Sequence, residues 1–216
     1  MFERPSIQLG ALKGYLQTAE PEVKVSCSHF FLQMAEAVGY PAYRMISQRA
    51  WLAESVYAAL LYPEHYDRIE KFFNQQAPKN KDGVELNFLS LTKQVKAVSD
   101  GFIRQTDWNS LDLAGFSVCL CQLTASLYFI RQIRRRCFDL PLIAGGSIIA
   151  GHTAGDLLAA FPEIDLIISG EGELPLTKIV RHLKRGGLCN DISPTAGIIS
   201  RKHEQNNCQA PFSQLA

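Results

Sequence analysis

Three places in this 216-residue chain set small and polar residues at the end of an apolar run. The first is "SVCLCQLT", which carries Ser117, Val118, Cys119, Gln122, Leu123 and Thr124. The second is "GGS", formed by Gly145, Gly146 and Ser147. The third is "SGEGE", with Gly170, Glu171, Gly172 and Glu173. In an open parallel sheet, ligands bind beyond the carboxyl ends of the strands. Glycine lets a large ligand approach the backbone and tolerates positive φ. A helix that starts just beyond offers unpaired amides to a carbonyl or phosphate. The chemistry these residue types imply is therefore ligand binding. On this reading a ligand lies over Gly145 and Gly146, so Gly146→Val blocks it and leaves the fold largely intact. Gly170-Glu171-Gly172-Glu173 is not G-x-G-x-x-G, so the dinucleotide fingerprint is absent. Glu171 and Glu173 also suit the positive end of a helix.

No catalytic constellation can be assembled from spacing. The five histidines, His29, His65, His152, His182 and His203, lie apart from any serine–aspartate or paired-carboxylate arrangement. No metal ligand is assigned among them. The six cysteines include no Cys-x-x-Cys pair. Cys119 and Cys121 alternate within an apolar run and are expected on one face as small buried hydrophobes. A formal net charge of +1 gives no reason for a nucleic-acid partner. The basic cluster "RQIRRR" falls on an amphipathic pattern and reads as a solvated helix face. No signal peptide is visible and no apolar run has the length of a membrane helix, so a cytoplasmic protein with reduced thiols is expected.

The elements that hold those residues follow from periodicity. "QLGALKGYLQ" predicts a short helix, and "PEVKVSCSHFF" alternates at Val23, Val25 and Cys27 as a strand does. Helical patterns run from Ser47 to Pro63, restart at that proline, and return over residues 84–104. This middle third holds no strand candidate. Then strands and helices alternate: "LAGFSVCL" at 113–120, "LPLIAGG", "DLIISG" and a short "TAGIIS", separated by helical stretches. Continuous apolar strands alternating with helices mean parallel βα units covered on both faces. The expected fold class is a flavodoxin-like, doubly wound α/β domain. Beyond Arg201 the chain turns polar and reads as a linker.

In order and spacing, "GFSVCLCQLTAS", "LPLIAGGSIIAG" and "PEIDLIISGEGELPLTKIV" resemble the cobalamin-binding domain of cobalamin-dependent radical S-adenosylmethionine enzymes. The last segment, with Asp165 before an apolar strand and Gly-Glu-Gly-Glu, is the most specific. "RPSIQLGALKGYL" and "RAWLAESVYAALLYPEHY" look like the N-terminal part of radical enzymes that mature ribosomally made peptides. The resemblance implies a cobalamin-binding domain over residues 1–188 with a helical insertion at about 47–105, then an edge strand and linker over 189–216. It implies a corrinoid lined by the thirteen residues of the three strand ends, with no catalytic residue of the chain's own. It also implies a radical S-adenosylmethionine domain as partner, in cis or in trans, and a peptide substrate, with methyl transfer as the reaction.

Three features depart from that family. No Cys-x-x-x-Cys-x-x-Cys occurs, so the iron–sulfur cluster would belong to the partner. The strand that normally precedes "RPSIQLG" is truncated, which is expected to leave a gap in the sheet. The Asp-x-His-x-x-Gly cobalt-ligand signature is absent. An apolar docking surface for the partner is expected around Leu120, Leu123 and Ile148. The alternative reading is a flavodoxin-like module that binds flavin or nucleotide, or serves in protein interaction.

Overall fold

The structure is a computed structural model that describes residues 6–78, 85–149, 152–193 and 195–201. It divides into two compact units interleaved along the chain. One comprises Met1–Ile7, Ser28–Trp108 and Cys119–Arg136; the other comprises Gln8–Cys27, Asn109–Val118 and Cys137–Ala216. Together the described residues form nine α-helices and a four-stranded, mostly parallel sheet. The class is α/β, as the alternation of patterns predicts.

The first unit has helices and no strand among its described residues. It holds α2 (Phe31–Val38), α3 (Tyr40–Ser47), α4 (Ala50–Leu61), α5 (Tyr66–Gln76), α6 (Phe88–Gln105) and α7 (Leu123–Arg136). Gly39, at φ 88°, breaks α2 from α3. Pro63 ends the run after α4 and opens a short 3-10 turn into α5. Asn87 caps α6 by accepting the Ser90 amide at 2.8 Å. The core is aromatic: Phe30 packs on Phe102 and Phe129, and Tyr57 on Tyr128. Buried Tyr57 satisfies its hydroxyl on Ser99 at 2.8 Å. On α7, Ile133 is buried and Arg135 and Arg136 are exposed, as expected of the basic cluster, whereas Arg131 and Arg134 are half-buried. Arg131 lies 5.9 Å over the Tyr62 ring and donates to the Leu61 carbonyl.

The second unit contains the sheet. Its strands are β1 (Ala114–Ser117), β2 (Leu142–Gly145), β3 (Leu166–Ile168) and β4 (Ile198–Ser200), in the order β1-β2-β3-β4. β1, β2 and β3 are parallel, whereas β4 runs antiparallel to β3. The helices of this unit are α1 (Ile7–Ala19, from Gln8 onward), α8 (His152–Ala160) and α9 (Glu173–Lys184). Its core gathers Ile143, Leu166, Ile168, Ile179, Cys189 and Ile198. α9 carries Glu173 in its first turn and Arg181, His182 and Lys184 in its last, matching the helix dipole at both ends.

Several expectations change. Residues 23–27 form no strand, although Val23, Val25 and Cys27 are half-buried between exposed neighbours. The alternation there reports a face turned inward, without a ladder partner. The strand expected over 113–120 stops at Ser117. Cys119 and Cys121 therefore lie in a turn and not on one strand face. The expected gap inside the sheet is absent among the described residues: β1 to β4 pair continuously and β1 is the edge. The polar stretch 202–216 lies outside the described residues.

Candidate ligand site at the strand ends

Parallel register sets the carboxyl ends of three strands side by side. Ser117 pairs with Gly145, and Gly145 with Ile168. Val118 extends the first ladder by donating to the Gly145 carbonyl at 2.6 Å. Ahead of β3, Asp165 ties the two strands' beginnings. Its Oδ2 accepts the Leu142 amide at 2.7 Å, and its own amide donates to the Leu142 carbonyl at 2.8 Å. The aspartate that marks the third segment thus fixes strand register, about three residues before the site.

The glycines divide by what surrounds them. Gly146 has φ 124°, and a Cβ there would lie 2.2 Å from the Val118 carbonyl oxygen. A Cβ on Gly145 would meet the Ile168 carbonyl oxygen at 3.0 Å. One on Gly172 would meet Leu12 of α1 at 3.0 Å. These three glycines make room for the protein's own chain. The expectation that Gly146→Val spares the fold is overturned, because the valine Cβ would run into the backbone of Val118, just past β1. Gly170 differs: it has φ 90°, is exposed, and has nothing within 4 Å of a Cβ position.

Beside Gly170 is a concavity of about 320 Å³. Ser169, Glu171, Glu173, Ala196 and Gly197 wall it. Gly197, at φ 85°, packs against Pro175 and accepts the Ser169 amide at 3.0 Å, so the turn before β4 forms one wall. Ser147 is exposed at the β2 end and Ile149 beyond it is buried.

From Val118 the chain enters the helical unit, where residues 119–124 have a different environment. Gln122 donates its amide to the Cys119 carbonyl at 3.1 Å, and its Oε1 accepts the Cys119 amide at 3.0 Å. Cys121 sits inside this turn at φ 67°, a conformation that favours glycine. Burial, and after it the charge of Glu54, push the Cys121 thiol up, away from a reactive thiolate. Glu54, on α4, holds the start of α7. Its carboxylate accepts the Leu123 amide at 3.0 Å, the Thr124 amide at 2.8 Å and the Thr124 hydroxyl at 2.6 Å. The amides of Leu123 and Thr124, expected to face a ligand, are therefore engaged internally.

Leu120 is 66% exposed, whereas Leu123 and Ile148 are half-buried. Trp51, one turn before Glu54 on α4, is 68% exposed. No group of three or more His, Cys, Asp or Glu side chains is placed to hold a metal ion among the described residues. His182 lies against Gly187, its Nε2 2.9 Å from the Leu188 carbonyl, in a structural role.

Glu54 and Leu12 escape sequence reasoning because each lies far along the chain from its partner. A lone glutamate on a helical pattern carries no signal of the helix it will cap. Comparison with protein-family models, curated proteins and solved structures finds no match.

Proposed function

We propose that this chain is a flavodoxin-like cobalamin-binding domain that works with a radical S-adenosylmethionine domain, in cis or in trans, on a peptide substrate. The observation that carries the reading is the row of three parallel strand ends, Ser117, Gly145 and Ile168, with a concavity beyond the third that is walled by Ser169, Glu171 and Glu173. Carboxyl ends of parallel strands are where α/β sheets take ligands. The segments that form these ends are the ones that resemble the cobalamin family. The residues present fit a broad ligand that rests on Ser117, Ser147, Gly170 and the rim at Glu171 and Glu173. In this account Gly145, Gly146 and Gly172 are packing residues that shape the ends. Cys119, Gln122, Leu123 and Thr124 belong to the lining through the resemblance, and Glu54 and Gln122 fix their backbone.

A bound corrinoid would supply a methyl carrier. The chain's own residues would hold it and shield one side. The sequence contains no cluster-binding cysteine triplet, so the radical step falls to the partner. Leu120 and Trp51 are among the exposed apolar groups of the helical unit, with Leu32, Tyr40 and Leu89. Equilibrium dialysis against hydroxocobalamin, methylcobalamin and flavin mononucleotide tests the reading, with far-ultraviolet circular dichroism to establish folding. Retention of the corrinoids with a changed visible spectrum is expected. Retention of flavin and not corrinoid would replace this reading with that of a flavin module.

A further inference from the structure

The charge of the helical unit is unbalanced on two of its helices. α6 holds Lys93, Lys96 and Arg104 against one carboxylate, Asp100, and α7 holds four arginines and no carboxylate. The whole chain is close to neutral, at +1. Lys93, Lys96, Asp100 and Arg104 follow one another at steps of three and four residues, so they share a helix face about 16 Å long. Tyr128 of α7 donates to Asp100 at 2.6 Å and joins that face to α7. Arg135 lies seven residues on from Tyr128, on the same side of α7. Burial alone would raise the Asp100 carboxyl, but hydrogen bonds from Lys96 and Tyr128, and then the charges of Lys96 and Arg104, hold it below its ordinary range. Burial, and then Asp100, push the Tyr128 hydroxyl up, and Arg135 is near enough to act against that shift. Lys96, Arg104 and Arg135 therefore stand around a single carboxylate that is already engaged. All three are exposed, and Arg104 and Arg135 form no ion pair among the described residues. The surface is complete within the helical unit. The helix dipole favours Arg104 and the α7 arginines of the last turn. It gives no reason for Lys93 and Lys96, nor for an α7 without a carboxylate, because solvated faces ordinarily mix both signs.

We infer that the α6–α7 face is an interaction surface for an acidic segment of a polypeptide partner, whose carboxylates pair with Lys96, Arg104 and Arg135. The guanidinium fork matches a carboxylate with two parallel hydrogen bonds. Two other anionic partners fit less well. Single-stranded nucleic acid is held by stacking on aromatic side chains, and α6 and α7 expose none. A membrane surface calls for an apolar face beside the basic one, and Leu89 is the one large apolar side chain that these two helices expose. The inference does not rest on the corrinoid reading.

Fluorescence anisotropy of rhodamine-labelled peptides, titrated with the full chain, tests it. A peptide of alternating Glu and Ser, about ten residues long, should bind saturably at roughly 50 mM salt and lose affinity as salt rises. The same peptide with Gln for Glu should not bind. Arg104→Glu combined with Arg135→Glu should weaken binding about tenfold or more. Arg104→Ala with Arg135→Ala serves if the reversed charges prevent folding, which circular dichroism reads. Arg68→Glu with Lys71→Glu makes the same change of net charge on exposed residues of α5 and should leave affinity within about twofold. Absence of saturable binding by the wild type, or an equal loss in the α5 variant, would overturn the inference. Tighter binding of single-stranded DNA, or of phosphatidylserine vesicles, at the same salt would overturn it too and assign the face to nucleic acid or to a membrane surface.

Discussion

Replacing Gly146 with alanine is the sharpest probe of the strand ends. The position has φ 124°, which costs a residue with a Cβ roughly 1–3 kcal/mol. The new methyl would also lie 2.2 Å from the Val118 oxygen and 2.7 Å from its nitrogen, both backbone atoms. Backbone yields only by moving β1 away from β2. That movement breaks the bond from the Val118 amide to the Gly145 carbonyl, 2.6 Å long, at a further cost of about 1 kcal/mol. A total near 2–4 kcal/mol is expected, a large part of a domain's net stability of roughly 5–15 kcal/mol. At about 2–4 °C per kcal/mol for a chain of this size, Gly146→Ala should melt roughly 4–16 °C below wild type. Gly170→Ala is the matched control. It shares a positive φ but has nothing within 4 Å, so only backbone strain of about 1–2 kcal/mol applies. Thermal and urea unfolding followed by circular dichroism gives both values. If the two variants fall within about 0.5 kcal/mol of each other, the close approach of Gly146 to Val118 is wrong. Gly146 would then return as a candidate ligand contact.

Asp165→Ala should cost about 1–3 kcal/mol by leaving the Leu142 amide unpaired at the start of β2, measured by urea unfolding; an unchanged midpoint would remove its register role. Arg201 donates through Nη1 to the Leu158 carbonyl and through Nη2 to those of Phe161, at 3.0 Å, and Ile164. Arg201→Lys cannot reproduce that fork and should lose about 2 kcal/mol, with Arg201→Met losing at least as much in the same assay. Glu20, 13% exposed, is held below its ordinary range by hydrogen bonds from Lys184 and then Arg181. Its folded value is depressed, so its stabilisation is present above the ordinary carboxylate value of 4.5 and is lost as pH falls through the lower folded value. Unfolding measured from neutral pH to about pH 3 should therefore show a shallower acid loss in Glu20→Gln than in wild type, and parallel curves would exclude the pairing.

The alternation of strands and helices was legible because each central strand is apolar on both faces. Leu142, Ile143 and Ala144 are buried, as are Leu166, Ile167 and Ile168, and no polar residue interrupts either run. The apolar pattern of the first strand runs three residues past its carboxyl end at Ser117. "SVCLC" looks continuous by hydropathy, but Gln122 folds back onto the Cys119 amide and turns the chain. Residues 23–27 failed in the opposite sense. Their period of two was real, since burial alternates along them, but pairing depends on a neighbour that local pattern does not contain. The reversal of β4 was hidden for a related reason. Three residues, Ile198–Ser200, carry no sense of direction; the Gly197 turn against Pro175 sets it.

The candidate site was less legible than the fold because a glycine at a strand end is chemically silent about what comes near it. Four glycines in the same sequence context have three different neighbours: a strand backbone at Gly146 and Gly145, a leucine of α1 at Gly172, and open space at Gly170. Only the last has room beside it for a ligand, and it borders the concavity walled by Glu171 and Glu173. At a helix start, an amide that donates to Glu54 reads in sequence like any other. A ligand proposal drawn from small residues alone therefore overcounts contacts. Once Gly145, Gly146, Gly172 and the α7 amides are assigned to packing and capping, the proposed lining narrows to Ser117, Ser147, Gly170 and the two glutamates.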